Sequence, residues 1–326
     1  PLDSLKAAAL NNYTITEGIG TPVAVSVTAP LFDRVLLKLA TALQRDKVYT
    51  VEVSGITDCA GNTMGDKNKV RTGWASAADS FGLVINEVLF NPRPYGTDYV
   101  EVYNRSKKII DTKNIFIANR NSSGAVSSIN ALGNESSLFF PGDFLVITAD
   151  AAAVKREYVA LDPDAFTEPG SMPSFNDDEG DVIVLNAQGK IIDELEYSAK
   201  WHFPLIDNAE GVALERISYE APTQNPDNWH SAATSAGYGT PSYQNSQHGA
   251  GDNFKGTITV SPGIISPDND GQDDYATISY SFPSPGFMAD ITVYDETSGE
   301  ILIWKVSSTP DDPSRGIHGG AAEAVQ

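Results

Sequence analysis

The sequence predicts an all-β protein, on three observations. Short runs rich in Val, Ile, Thr and Tyr recur along the chain, among them VYTVEVSGI, NIFIANR, DFLVITA, DVIVLNAQGKIIDELEY and GTITVSPG. Gly, Pro, Asn and Asp separate these runs, the rhythm of sandwiches and barrels. Helical periodicity is scarce.

Taken in order, Leu5 to Asn11 has the composition of a short helix, and VYTVEVSGI follows as a strand. The small, polar stretch WASAADSFG reads as a linker. INEV and YVEVY are the next two strands, carrying Glu87 and Glu101. In TADAAAVKREY, Asp150 is placed to cap a helix from Ala151 to Glu157. Asn186 to Gly189 sets a hairpin between VIVL and KIIDELEY, and Glu296 to Gly299 sets another between ITVYD and EILIWKV. A Gly- and Asn-rich stretch, NSQHGAGDNFKG, reads as a second linker. The tail SSTPDDPSRGIHGGAAEAVQ has no strand pattern. The expected division is therefore 1–74, a linker at 75–82, 83–245, a linker at 246–256, and 257–326 with its irregular tail.

A chain of 326 residues fits two or three domains. Its formal charge of −21 repels a phosphate backbone, and no basic stripe offsets it, so nucleic acid is excluded as an expected partner. A single cysteine, Cys59, rules out an internal disulfide framework and a cysteine-rich zinc site. No run approaches the ~18 apolar residues of a membrane-spanning helix. The chain opens at Pro1 without Met or a signal peptide, which reads as a fragment of a larger precursor.

The question of chemistry centres on Glu87 and Glu101, which stand at matching places in two strands. They are either an acid pair or two strand residues. Alternation sets Tyr99, Glu101 and Tyr103 on the face opposite Val100 and Val102, so the simplest expectation is that Glu101, and likewise Glu87, faces solvent as architecture.

SPDNDGQDD is the sharper candidate. Asp268, Asp270, Asp273 and Asp274 gather hard oxygens around Gly271, as a Ca2+ loop requires; an acidic turn into the ATISYSF strand is the competing reading. A second acidic run, Asn176 to Asp181, is better read as a tight turn than as a metal site. His202, His230, His248 and His318 show no zinc-hydrolase spacing and are expected to pack. Trp74, Trp201, Trp229 and Trp304 offer either sugar-stacking rings or core side chains. Neither a nucleophile elbow nor a Walker loop occurs.

Three segments look familiar. The ordered series INEV, YVEVYN, FFPGDFLVIT, GDVIVLNAQGKIIDELEY, GVALERI, NWHSA and GTPSYQN, spanning Leu83 to Asn245, resembles the bacterial lamin-tail domain. It departs by a stretch inserted at about Val154 to Phe175. YTVEVSGITDCAGNTM, with its turn at Asp58, Ala60, Gly61 and Asn62, resembles the later part of a bacterial Ig-like domain. SPGIISPDNDGQDDYATISYSF and ADITVYDETSGEILIWKV resemble the Ig-like domain near the C-terminus of gliding-motility and type IX-secreted proteins of Bacteroidetes.

These resemblances imply tandem immunoglobulin-like β-sandwiches, the outer two partial. They imply a non-catalytic structural or interaction module of a secreted or surface protein, outer-membrane-associated and serving in adhesion. The expected partners are other protein domains, surface components or glycan, with no membrane span. Two other expectations compete: the accessory tail of a secreted nuclease or glycosidase, and a glycan-binding module.

Overall fold

The computed structural model describes residues 1–203, 206, 208–249, 257–266, 270–281, 293–294 and 301–302. The chain is mostly β-strand with two short α-helices among the described residues.

The first unit opens with α1 (Ser4–Ala7), whose N-cap Asp3 accepts the N–H groups of Leu5 and Lys6. Strands β1 (Tyr13–Ile15), β2 (Ala24–Val27), β3 (Val35–Lys38), β4 (Tyr49–Val53) and β5 (Lys69–Thr72) follow. They form one sheet in the order β1-β4-β5 and a pair, β2-β3. Ala7, Tyr13 and Ile56 make a small buried core against Val25, Val27, Val35 and Leu37. The Asp58 turn forms as the sequence expects. Its carboxylate accepts the Ala60 and Asn62 N–H groups and the Asn62 amide, and Gly61 takes φ +87°.

The stretch read as a linker lies against the next unit. Ser76 donates its N–H to Ile109, and Phe81 donates to Ile192. Arg71 grips Asp143 through two bonds of 2.9 and 2.7 Å while stacking on Phe140 at 4.3 Å. Gly73 is needed here, because a Cβ at that position would meet the Ile109 Cδ1 at 2.3 Å.

The central unit contains β6 (Leu83–Leu89), β7 (Tyr99–Asn104), β8 (Ile110–Asp111), β9 (Ile115–Arg120), β10 (Val126–Ala131), β11 (Leu138–Phe139), β12 (Phe144–Thr148), α2 (Ala151–Glu157), β13 (Phe166–Thr167), β14 (Glu179–Asn186), β15 (Ile191–Ser198), β16 (Leu214–Arg216) and β17 (Trp229–Ser231). A six-stranded sheet, β13-β12-β7-β6-β16-β17, faces a four-stranded one, β10-β9-β14-β15. One core lies between them, built from Ile85, Val100 and Val102 on one side and Ile117, Val184 and Leu195 on the other. Such a core is what alternating strands demand when each buries one face.

Asp150 caps α2 by accepting the Ala153 N–H, as the sequence expects. The 186–189 hairpin also forms: Asn186 Oδ1 accepts the Gln188 and Lys190 N–H groups, and Gly189 takes φ +74°. Within residues 154–175, β13 runs parallel to β12.

Further along, β18 (Thr257–Ser261) pairs antiparallel with β19 (Thr277–Ser281), and β20 (Val293–Tyr294) with β21 (Ile301–Leu302). The turn expected at 296–299, His318, Trp304 and the tail lie outside the described residues.

Candidate functional site: a buried row of three carboxylates

The site begins with a change of parity in β6. Residues two apart on a strand share a face, yet Ile85 lies in the core and Glu87 on the opposite side. The pairing with β7 slips between Ile85 and Glu87, leaving Asn86 as an extra residue. Past this bulge, Val88 turns inward, while Glu87 and Leu89 point to the outer face.

Ile85 stays paired with Val102 of β7, but the β16 pairing on the other side reaches only Val88 and Glu87, and a buried ion pair takes up the Ile85 backbone there. Asp193 accepts the Ile85 N–H at 2.8 Å, and Arg216 Nε donates to the Ile85 carbonyl at 2.6 Å. Arg216 also donates to Asp193 at 3.4 Å and to Thr223 at 2.6 Å, and its guanidinium lies 5.1 Å from the Trp229 ring centre. Burial lowers the Arg216 pKa to about 10 and raises that of Asp193, so desolvation outweighs mutual attraction on both partners.

On β7 the alternation holds: Val100 and Val102 face the core, and Tyr99 and Glu101 the other side. On β16, Leu214 faces the core and Glu215 does not. Register then places Glu101 opposite Glu87, and Glu87 opposite Glu215. Three carboxylates therefore line up across three neighbouring strands.

The expectation that Glu87 and Glu101 face solvent is overturned, since all three glutamates are 0% exposed. The cover is the strap of residues 238–248, far along the chain. Thr240 N–H donates to Glu87 at 2.8 Å, Ser242 N–H to Glu101 at 2.5 Å, and Gln247 N–H to Glu215 at 2.9 Å. Tyr99 donates its hydroxyl to Glu87, Asn86 its amide to Glu101, and Ser246 its hydroxyl to Glu215. Thr240 Oγ1 sits between Glu87 Oε2 at 3.3 Å and Glu215 Oε1 at 2.8 Å. Every carboxylate oxygen of the row thus has a partner within the chain.

Asn245 locks the strap from its far end. Its amide donates to the carbonyls of Asn86 and Arg216, both at 2.9 Å, and its Oδ1 accepts from the Asn86 amide at 2.6 Å. Gly239 permits the close approach, because a Cβ there would lie 2.7 Å from the Tyr99 hydroxyl oxygen and 2.8 Å from Tyr158.

Stacking acids in an enclosed place favours their neutral forms. Burial, and then the charge of Glu215, pushes Glu87 up to about 8. Burial and Glu87 raise Glu101, and burial raises Glu215 against its hydrogen bonds to Ser246 and Thr240. Glu87 therefore keeps its proton at neutral pH. A neutral Glu87 can donate to Thr240 Oγ1, which passes its own hydrogen to Glu215.

The other sequence candidates lie apart from the row. In the acidic turn, Asp270 Oδ1 accepts the Gln272 N–H and Asp274 Oδ2 the Gly271 N–H, with Gly271 at φ +86°. Asp270 and Asp273 are exposed and Asp274 is half-buried, while Asp268 lies outside the described residues. Among the described residues no group of three or more His, Cys, Asp or Glu is placed to hold a metal ion. In the second acidic run, Asp178 accepts the Glu179 N–H and Tyr197 donates to the Asn176 carbonyl.

The three described histidines pack. His202 lies buried beside Phe90 with Nδ1 2.9 Å from the Ser231 hydroxyl, and burial lowers its pKa to about 4. His230 sits by Phe203, and His248 stacks on Tyr219. Trp229 is buried, donating to the Thr223 carbonyl, and Trp201 is half-buried against the core. Trp74 is exposed.

Sequence reasoning missed Glu215, Arg216 and the strap residues. GVALERI carries the signal: on one short strand a Glu and an Arg sit beside apolar residues, so both faces must be covered.

No family model matches the chain, and no curated protein does. Among solved structures, the chain is similar to a DUF4876 family protein from Bacteroides thetaiotaomicron, at 12% identity and a TM-score of 0.30, covering 76% of this chain and 91% of that one.

Proposed function

We propose that this chain is a non-catalytic structural and interaction module of a secreted or cell-surface bacterial multidomain protein, with a central lamin-tail-like immunoglobulin sandwich. One observation carries the reading: every oxygen of the conspicuous acids is hydrogen-bonded within the chain. A carboxylate so enclosed fastens a strap and has no face left for a substrate. The partial flanking units are taken as Ig-like spacers that present the central unit to other protein domains or surface components. A calcium loop at Asp268, Asp270, Asp273 and Asp274 would suit the calcium-rich exterior, and it would need Asp268 or further ligands, since the described carboxylates alone gather no group of three placed to hold a metal ion.

Antibodies raised against the chain test the reading on intact cells that carry the gene. Surface labelling that external protease removes is expected. Labelling only after permeabilisation, or hydrolysis of ester, glycoside or phosphodiester substrates lost in Glu87→Gln, overturns it.

A further inference from the structure

We propose that the cleft between the first and central units binds a neutral oligosaccharide. The cleft encloses about 700 Å3, within the range of ~300–1,000 Å3 that small-molecule sites occupy. Trp74 lines it from the first unit and is 50% exposed. The ring is held rather than loose. The Arg45 guanidinium lies 4.6 Å from its centre, and the Trp74 carbonyl accepts the Asp46 N–H at 3.0 Å.

The central unit supplies the polar lining. Asn114 stands just before β9 and Gln188 in the β14–β15 hairpin, both exposed and both lining the cleft. Among the described residues neither side-chain amide has a hydrogen-bond partner. Asp111, also in the lining, accepts the Lys113 N–H and the Ser136 hydroxyl. Leu43 and Leu138 add apolar surface.

This mixture selects the ligand class. A pyranose ring presents an apolar C–H face, which an indole covers, and a rim of hydroxyls, which amides meet as both donors and acceptors. No Lys or Arg lines the cleft. The cations beside its wall are already engaged, Arg45 on the Trp74 ring and the Ala75 carbonyl and Lys108 on Asp79 and the Ala77 carbonyl, and the chain carries a net −21, so an anionic glycan or a phosphate is disfavoured.

The test is retardation in native gels cast with soluble neutral polysaccharides (mixed-linkage β-glucan, arabinoxylan, galactomannan, α-mannan, starch), followed by calorimetry with hexasaccharides of the retarding type. Wild type is expected to be retarded by at least one. Trp74→Ala should weaken binding roughly tenfold through loss of the stacking ring. A double variant, Asn114→Ala with Gln188→Ala, removes amides without chain partners and leaves folding intact. It should weaken binding roughly fivefold or more for two lost neutral hydrogen bonds. Wild type unretarded in every gel, or retarded equally in both variants, overturns the proposal.

Discussion

Glu87 and Glu101 stand directly opposite each other on adjacent strands, both fully buried, and each accepts a backbone N–H from the same distant strap. Directly opposed like charges repel across a sheet. The row is tolerated because burial keeps a proton on Glu87, which stands between the other two, and because the strap supplies donors to the oxygens. The three acids thereby bind a terminal segment of the central unit to the middle of its larger sheet.

This arrangement predicts an unusual pH dependence. Glu87 rises from an ordinary value near 4.5 to about 8 on folding, so between these values the folded chain holds a proton that the unfolded chain has lost. Its stabilisation is present below about 4.5 and is lost as pH rises through about 8, with a slope of at most ~1.4 kcal/mol per pH unit for one proton. His202, lowered to about 4, has the opposite sign between about 4 and 6.5 and is silent above that. The unfolding midpoint should therefore fall between pH 6.5 and 8.5. Glu87→Gln mimics the neutral acid and should flatten that fall. An unchanged slope in the variant removes Glu87 from the explanation.

The pair beneath the bulge predicts a large mutational cost. Arg216→Met leaves Asp193 buried without its counter-charge and the Ile85 carbonyl without its donor. Breaking a buried pair from one side costs ~3–5 kcal/mol. Urea unfolding of Arg216→Met should show a loss of that order. Adding Asp193→Leu should recover part of it, and strictly additive effects would mean that the two residues are not coupled.

The acidic turn makes a simpler prediction. If Asp270 helps hold calcium, millimolar calcium raises the unfolding midpoint over that in EDTA, because a ligand of the folded state stabilises it by mass action. Asp270→Ala should lose that rise. A midpoint indifferent to calcium in the wild type reduces the loop to a turn entering β19.

Local rules made much of the fold readable. Alternation placed Tyr99, Glu101 and Val102 on their correct faces, and an Asp before an alanine run marked α2. Turn chemistry gave the 186–189 hairpin. What alternation cannot say is whether the outer face of a sheet meets water. For Glu87 the answer lay with Thr240, 153 residues away, and for Glu101 with Ser242, 141 residues away. The β6 bulge was equally hidden, since a single extra residue in INEV leaves no compositional trace. Trp74 showed the opposite limit: its type left a sugar-stacking ring and a core side chain both open, and the proposed stacking role rests on its exposure in a cleft beside unpartnered amides.

The strap itself can be tested at Gly239, whose backbone passes close to the Tyr99 hydroxyl and the Tyr158 ring. A methyl group there would meet the Tyr99 hydroxyl oxygen at 2.7 Å and Tyr158 Cδ1 at 2.8 Å, closer than carbon atoms settle. Both rings are fixed. Tyr99 donates to Glu87 and Tyr158 to the Gly211 carbonyl, so neither can swing away without losing a buried bond. Gly239→Ala should destabilise the central unit by ~1–3 kcal/mol, the usual cost of forcing extra volume into a packed site. The position of the damage is the sharper readout. Amide exchange should accelerate first at Thr240, Ser242 and Gln247, whose N–H groups end on the three glutamates. Core amides of β7 and β14 should stay protected, because the facing sheets do not depend on the strap for their own ladder. If exchange instead rises evenly across both sheets, the strap is an integral part of the core rather than a segment latched onto it.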